Sequence, residues 1–242
     1  MWTPTALASE TRPLGGDAWR AVEHQYSAST RKIVDTQAEQ DVLESILEES
    51  KPRYPAAAAP LHYLLKSPFR YYPPRPHGSR FRRAGDAGGV FYGAERLRTA
   101  LAELAYYRLR FFAASPATPL PRNEERLTAF RAAFRTARAL DLTQPPLERD
   151  RALWTDPQDY GATQALAEAA RAAEVEVIRY ESVRDAERGA NLALLQPGVF
   201  TSGRPLEQQT WYLYLSPLEV NCTRANGAGE ERWTFPRAQF GL

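Results

Sequence analysis

The sequence predicts an α+β fold of short, mostly antiparallel strands with flanking helices. Apolar residues recur at helical spacing over residues 94–112 and 163–173. They alternate at strand spacing over residues 175–180 and 210–215. Both patterns share one chain of 242 residues, without internal repeats, a length that supports one well-buried domain or a domain with an appendage.

Taken in order, residues 1–16 are polar, marked by Pro and Gly, and read as a loose arm. Residues 17–51 read as mostly helical, with Val34, Leu43, Ile46 and Leu47 as apolar positions and Asp41 as the cap of the last helix. Residues 52–60, rich in Pro and Ala, read as a linker. Residues 1–60 are thus expected to form a helical extension and residues 61–242 the main domain. Residues 61–69 are apolar, but Pro68 limits helix there. Residues 71–89 read as irregular backbone, followed by a short strand at Val90-Phe91-Tyr92. On the next helix Leu97, Leu101, Leu104 and Phe111 form the apolar stripe. Arg108 falls on that stripe, where it snorkels or pairs. Glu103 lies on the flank, with Tyr107. After a Pro-rich loop, residues 127–140 fit either strand or helix. Residues 189–195 are an apolar segment and residues 209–218 a strand. Asn226-Gly227 is a turn signal that, with Trp233 and Phe235, suggests a hairpin.

Composition excludes several classes. Lys+Arg is 31 and Asp+Glu is 29, a formal net charge of +2, so a general nucleic-acid coat is disfavoured. The positive charge is almost all arginine, whose fork matches phosphate oxygens. The single cysteine, Cys222, excludes an internal disulfide framework. His24, His62 and His77 show no ligand spacing, so no metal is expected. No basic segment leads into an apolar run, and no run reaches membrane-spanning length, which points to a cytoplasmic protein without membrane contact.

The chemistry-bearing residues cluster. Arg70, Arg75, Arg80, Arg82 and Arg83 share one loop-rich stretch with Phe69, Tyr71, Tyr72 and Phe81. That suits a phosphate or pyrophosphate beside a flat ring, although a solvated basic loop would also carry such arginines. Tyr92 ends a strand between glycines. Glu103 stands among Ala100, Leu101, Ala102, Leu104 and Ala105, where a carboxylate can bond a sugar hydroxyl and oppose cationic charge at an anomeric carbon. Ser182 has no nearby histidine and no Gly-x-Ser-x-Gly, so it reads as a positioning hydroxyl rather than a nucleophile. Neither a Rossmann fingerprint nor a P-loop is present.

Phe69-Arg70-Tyr71, Gly78-Ser79-Arg80-Phe81, Val90-Phe91-Tyr92-Gly93-Ala94-Glu95 and Thr99-Ala100-Leu101-Ala102-Glu103 resemble the first half of the RES domain. Arg179-Tyr180-Glu181-Ser182-Val183-Arg184-Asp185 and Gly189-Ala190-Asn191-Leu192 resemble its second half. The likeness spans roughly residues 61–220. It implies a core related to ADP-ribosyltransferases, NAD as substrate, and a bacterial toxin restrained by a helix-turn-helix antitoxin of the Xre type that blocks the active site. The family arginine falls on Arg80, with Arg70 or Arg82 as the second phosphate-binding arginine. The glutamate falls on Glu103, the serine on Ser182, and Tyr92 and Tyr71 match the family's aromatics. The extension before residue 60 is longer than in compact members.

These expectations give Arg80, Glu103, Ser182 and Tyr92 as catalytic residues. Arg70, Tyr71, Arg82 and Tyr92 are expected to bind NAD. The reaction expected is cleavage of the nicotinamide–ribose bond, with water, phosphate or a protein side chain as acceptor. A cleft that only binds a nucleotide, or one that docks an acidic partner, remains the alternative. The helical N-terminus and aromatic tail are candidate surfaces for the antitoxin or a homodimer.

Overall fold

In a computed structural model of the chain, residues 2–24, 33–73, 76, 78–86, 88–115, 117–226 and 229–242 are described. Arg75, His77 and Gly227, singled out above, lie outside them. One sheet of eight strands organises the fold: β1 (Arg12–Glu23), β2 (Phe91–Ala94), β3 (Glu125–Asp141), β4 (Val177–Glu181), β5 (Ala190–Leu194), β6 (Glu207–Leu215), β7 (Glu219–Asn226) and β8 (Gly229–Pro236). Their order is β1-β2-β5-β4-β3-β6-β7-β8, and β1 also pairs with β3, so the first five close into a ring. Only β3 and β4 run parallel. The α+β class with mostly antiparallel strands is the one expected. Around the sheet lie α1 (Pro4–Ser9), α2 (Gln37–Ser50), α3 (Tyr63–Lys66), α4 (Leu97–Ala113), α5 (Arg151–Trp154) and α6 (Gly161–Ala172).

The N-terminal expectation is corrected. Residues 1–16 are not a loose arm: Thr3 caps α1, accepting from the Ala6 amide at 3.2 Å, and Leu7 is fully buried in the core beneath α6. Residues 17–23, expected to be helical, extend β1, which pairs with β3 from Arg12↔Ala139 to Glu23↔Leu127. A boundary at residue 60 therefore divides the sheet. Pro13, Gly15 and Gly16 disguise this strand, and long-range pairing overrides their local preference. The cap of α2 is Thr36, not Asp41. The Thr36 hydroxyl accepts from the Glu39 amide and the Glu39 carboxylate accepts from the Thr36 amide, a reciprocal capping box. No side chain of α2 is buried.

The ambiguous residues 127–140 are strand. Leu127 and Ala129 point into one core, while Phe130, Ala132 and Phe134 point into another on the opposite face. A strand buried on both faces loses its clean alternation, and its alanines then mimic helix. On α4 the buried face is Leu101, Ala102, Ala105, Tyr106 and Leu109, packed on Trp211, Leu213, Cys222 and Phe235 of the β6-β7-β8 meander. Phe111, placed on the stripe by spacing, is exposed. Arg108 pairs, donating to Glu23 at 2.6 Å and to Glu125. This rotation of α4 turns Glu103 towards the ends of β4 and β5. No helix among the described residues is long and apolar enough to cross a membrane.

Candidate active site

Several elements deliver the site. The first is the turn Gly78–Arg82. Gly78 has φ +74°, and a Cβ there would lie 2.2 Å from the Arg82 carbonyl, so glycine is required. The Ser79 amide donates to the Arg82 carbonyl at 2.8 Å, and the Arg82 amide returns a bond to Ser79 at 3.1 Å. The Tyr92 hydroxyl on β2 lies 2.9 Å from Ser79 Oγ and accepts from the Phe81 amide at 3.2 Å. Gln164 of α6 donates to the carbonyls of Ser79 and Arg82 at 3.1 and 3.2 Å. Phe81 is fully buried, edge-on to Tyr180. Tyr92 therefore holds the arginine turn in place, and burial raises its phenol above the ordinary tyrosine value.

The turn aims Arg80 and Arg82 inwards. Arg80 donates to the carbonyls of Trp154 at 2.8 Å and Asp156 at 3.0 Å, and its guanidinium stands 4.6 Å from the centre of the Tyr160 ring. Arg82 donates to the carbonyls of Tyr71 at 2.9 Å and Asp86 at 3.3 Å; its Nε is buried and unpartnered among the described residues. Arg184 donates to the Pro157 carbonyl at 2.5 Å and lies 3.6 Å over the Tyr106 ring. All three are buried. Among the described residues no carboxylate forms an ion pair with any of them, so neutral carbonyls hold their charge in place without cancelling it. Buried charge of this kind is costly and projects a strong field.

Glu103 is the acidic counterpart. Its Oε1 accepts from Ser182 Oγ at 2.7 Å and from Asn191 Nδ2 at 2.6 Å. No donor among the described residues reaches Oε2. Ser182 follows β4 and is buried; its Oγ accepts from the amides of Arg184 at 3.2 Å and Asp185 at 3.1 Å. A hydroxyl that takes two N–H donors and gives its proton to a carboxylate is a positioning group. The loop after Ser182 is pinned by Asp185, whose buried carboxylate accepts from Thr99 Oγ1 at 2.7 Å and pairs with Arg98 at the start of α4. Gly189 closes the loop: a Cβ there would lie 2.1 Å from Thr99 Oγ1.

Tyr180 connects the two halves. Its phenol is raised well above the ordinary value, first by burial and then by Glu103 and Tyr92, with Arg80 opposing. Arg80 and Glu103 thus act on one hydroxyl with opposite sign. Tyr107, one turn beyond Glu103 on α4, has its phenol within electrostatic reach of Tyr160, Glu103, Tyr92 and Arg184.

The structure brings Glu103 into contact with Ser182 and ties Tyr92 to the turn that carries Arg80, and the Tyr180 phenol lies within electrostatic reach of Glu103, Tyr92 and Arg80. Arg70 and the Tyr71 side chain line a hollow that Arg82 shares but Arg80, Glu103 and Ser182 do not. Arg70 donates to Glu48 of α2 at 2.6 Å and to the Pro52 carbonyl, with its guanidinium 4.4 Å from the Tyr54 ring centre. With the exposed Tyr71 and Tyr72, Arg53 and Arg82 it lines this hollow of about 180 Å³. A wide groove of about 970 Å³ beside Gly15, Phe134, Arg135 and Phe200 contains none of the expected site residues. Sequence reasoning assigned no role to Asn191, Tyr160, Tyr180 or Arg184. A lone amide inside the apolar run Ala190–Leu194 was the available signal for the first. Among the described residues, no three His, Cys, Asp or Glu side chains are grouped as metal ligands.

No curated protein matches the chain. Among solved structures, a chain of the M. tuberculosis MbcT–MbcA toxin–antitoxin complex aligns with a TM-score of 0.43 at 15% identity, over 84% of this chain and 90% of that one. The sequence model of the RES domain matches residues 53–216, which include the arginine turn, Glu103 and Ser182, and the chain therefore belongs to the RES domain family.

Proposed function

We propose that this protein is the toxin of a bacterial toxin–antitoxin pair and that it cleaves the nicotinamide–ribose bond of NAD. The observation that carries the reading is the state of Glu103: one oxygen is tied down by Ser182 and Asn191, no donor among the described residues reaches the other, and the buried Arg80 and Arg184, without ion-pair partners among the described residues, act with Glu103 on the phenols of Tyr180 and Tyr107. NAD has the complementary charge distribution. Its diphosphate is anionic, and its ribose C1′ becomes cationic as nicotinamide departs.

In the proposed reaction the C1′–N bond breaks and its electron pair goes to the pyridinium nitrogen, so nicotinamide leaves neutral. The free oxygen of Glu103 faces the developing oxocarbenium ion and a ribose hydroxyl. Arg80, Arg82 and Arg184 supply positive potential for the diphosphate, with the rings of Tyr160 and Tyr107 bounding the cleft. Tyr92 keeps the arginine turn in register. An oxygen of water or phosphate then bonds to C1′ and releases its proton. A departing group this good leaves geometry and electrostatics to supply most of the catalysis. A cytoplasmic enzyme with this activity needs restraint, for which a helix-turn-helix antitoxin of the Xre type covering the cleft is the partner implied by the family.

The test is chromatography of NAD incubated with the pure protein, with and without phosphate and candidate acceptor proteins. Nicotinamide with ADP-ribose marks hydrolysis, a phosphorylated ADP-ribose marks phosphorolysis, and label on protein marks transfer. Absence of nicotinamide release after prolonged incubation would reject the reading.

A further inference from the structure

Asn191 is the second residue of β5, opposite Ala94 of β2 and Tyr180 of β4. Its neighbours along the strand, Ala190, Leu192, Ala193 and Leu194, are apolar and buried. Asn191 is itself 2% exposed, and its Oδ1 is buried with no hydrogen-bond partner among the described residues. An apolar residue of similar size would remove that orphaned oxygen, so stability alone does not account for an amide here. Its other end does: Nδ2 reaches Glu103 Oε1 at 2.6 Å. The amide orientation follows from that contact, since the flipped form would set Oδ1 against a carboxylate oxygen.

We propose that Asn191 is a positioning residue that fixes the rotation of the Glu103 carboxylate. This inference rests on the reading of Glu103 given above. Ser182 alone is one hydrogen bond, about which the carboxylate can swing. The second donor meets the same oxygen, occupies its remaining lone pair, and thereby leaves Oε2 free for substrate. Ser182 comes from the loop after β4 and Asn191 from β5, so two independent backbones hold one oxygen. The orphaned Oδ1 is the stability cost of that arrangement.

The test combines two variants. Asn191→Leu is expected to keep the fold, with a melting temperature no lower than the wild type, while kcat for NAD falls about 10–100-fold, the usual scale for losing a partner that orients a reacting group, and KM changes little. Asn191→Asp places two carboxylates together at neutral pH and is expected to be impaired there. Its activity relative to the wild type should rise as the pH falls, because a protonated Asp restores the donor. A purely structural role would not produce that pH-dependent recovery. Wild-type kcat in Asn191→Leu, or an Asn191→Asp ratio flat with pH, overturns the proposal. Should the wild type release no nicotinamide, the NAD reading fails, and the crystal structure of Asn191→Leu then decides this one. A Glu103 carboxylate rotated off its present orientation supports it; an unmoved carboxylate overturns it.

Discussion

Glu103 and Ser182 are 79 residues apart in the chain, yet Ser182 Oγ donates to Glu103 Oε1 at 2.7 Å. One lies on the flank of α4 and the other in the loop after β4. Asp185 locks these two elements together by bonding Thr99 and Arg98 at the start of α4. The contact is thus built into the scaffold, and it governs how substitutions in the site should behave.

Glu103→Gln keeps the shape but removes the negative charge, and its amide can turn a donor towards Ser182 and Asn191. Turnover of NAD is expected to fall about 10²–10³-fold, the scale for losing one preorganised electrostatic group. The fold should persist. Steady-state kinetics beside a thermal melt check both, and undiminished nicotinamide release would refute the role of the carboxylate.

Arg80→Ala removes a buried charge that has no ion-pair partner among the described residues and orphans the carbonyls of Trp154 and Asp156. Activity should drop by orders of magnitude, with a stability loss of about 1–3 kcal/mol for buried groups left unpaired. Arg80→Lys should recover part of the activity only, because an ammonium cannot donate in the planar fork that spans both carbonyls. Denaturant melts and kcat/KM separate the two effects.

Ser182→Ala leaves the amides of Arg184 and Asp185 without their acceptor and removes one donor from Glu103. A stability cost of about 1–3 kcal/mol is expected, together with lower kcat. Were Ser182 a nucleophile, a trapped ADP-ribosyl-serine would be seen by mass spectrometry. The geometry predicts none.

Gly189→Ala places a methyl group 2.1 Å from Thr99 Oγ1 and 2.9 Å from Asp185 Oδ2. These atoms carry the Asp185 lock, so the loop must shift as a unit. Both melting temperature and NAD turnover should fall. Gly198→Ala, with nothing within 4 Å of the added atom, serves as the control and should change neither.

Alkaline stability should report the buried phenols. Burial raises Tyr92 and Tyr180 in the folded protein, whereas in the unfolded chain they ionise near about pH 10. The unfolded state therefore releases protons first. The contribution of these groups is complete below that pH and is lost as the pH rises above it. Urea midpoints measured from pH 8 to pH 11 should decline, and Tyr180→Phe should flatten the decline. An identical slope in that variant would remove Tyr180 from the account.

Much of the fold class was legible because α6 and β6 each bury one face, and one-sided burial leaves a periodic trace. β1 left none, since its order depends on eleven residues of β3 pairing beside it rather than on its own Pro and Gly. The α4 stripe was misplaced by part of a turn, because the meander it packs on selects Ala102, Ala105 and Tyr106 over Phe111.

Side-chain identity by itself determined the family, through motifs whose order survives in one dimension. Tertiary structure decided how those side chains are used: Arg80 spends its fork on carbonyls, Arg70 goes to Glu48, and Asn191 joins Ser182 on a single oxygen of Glu103. A hydrogen bond depends on direction and on a few tenths of an ångström, and those quantities exist only once distant strands and helices have packed.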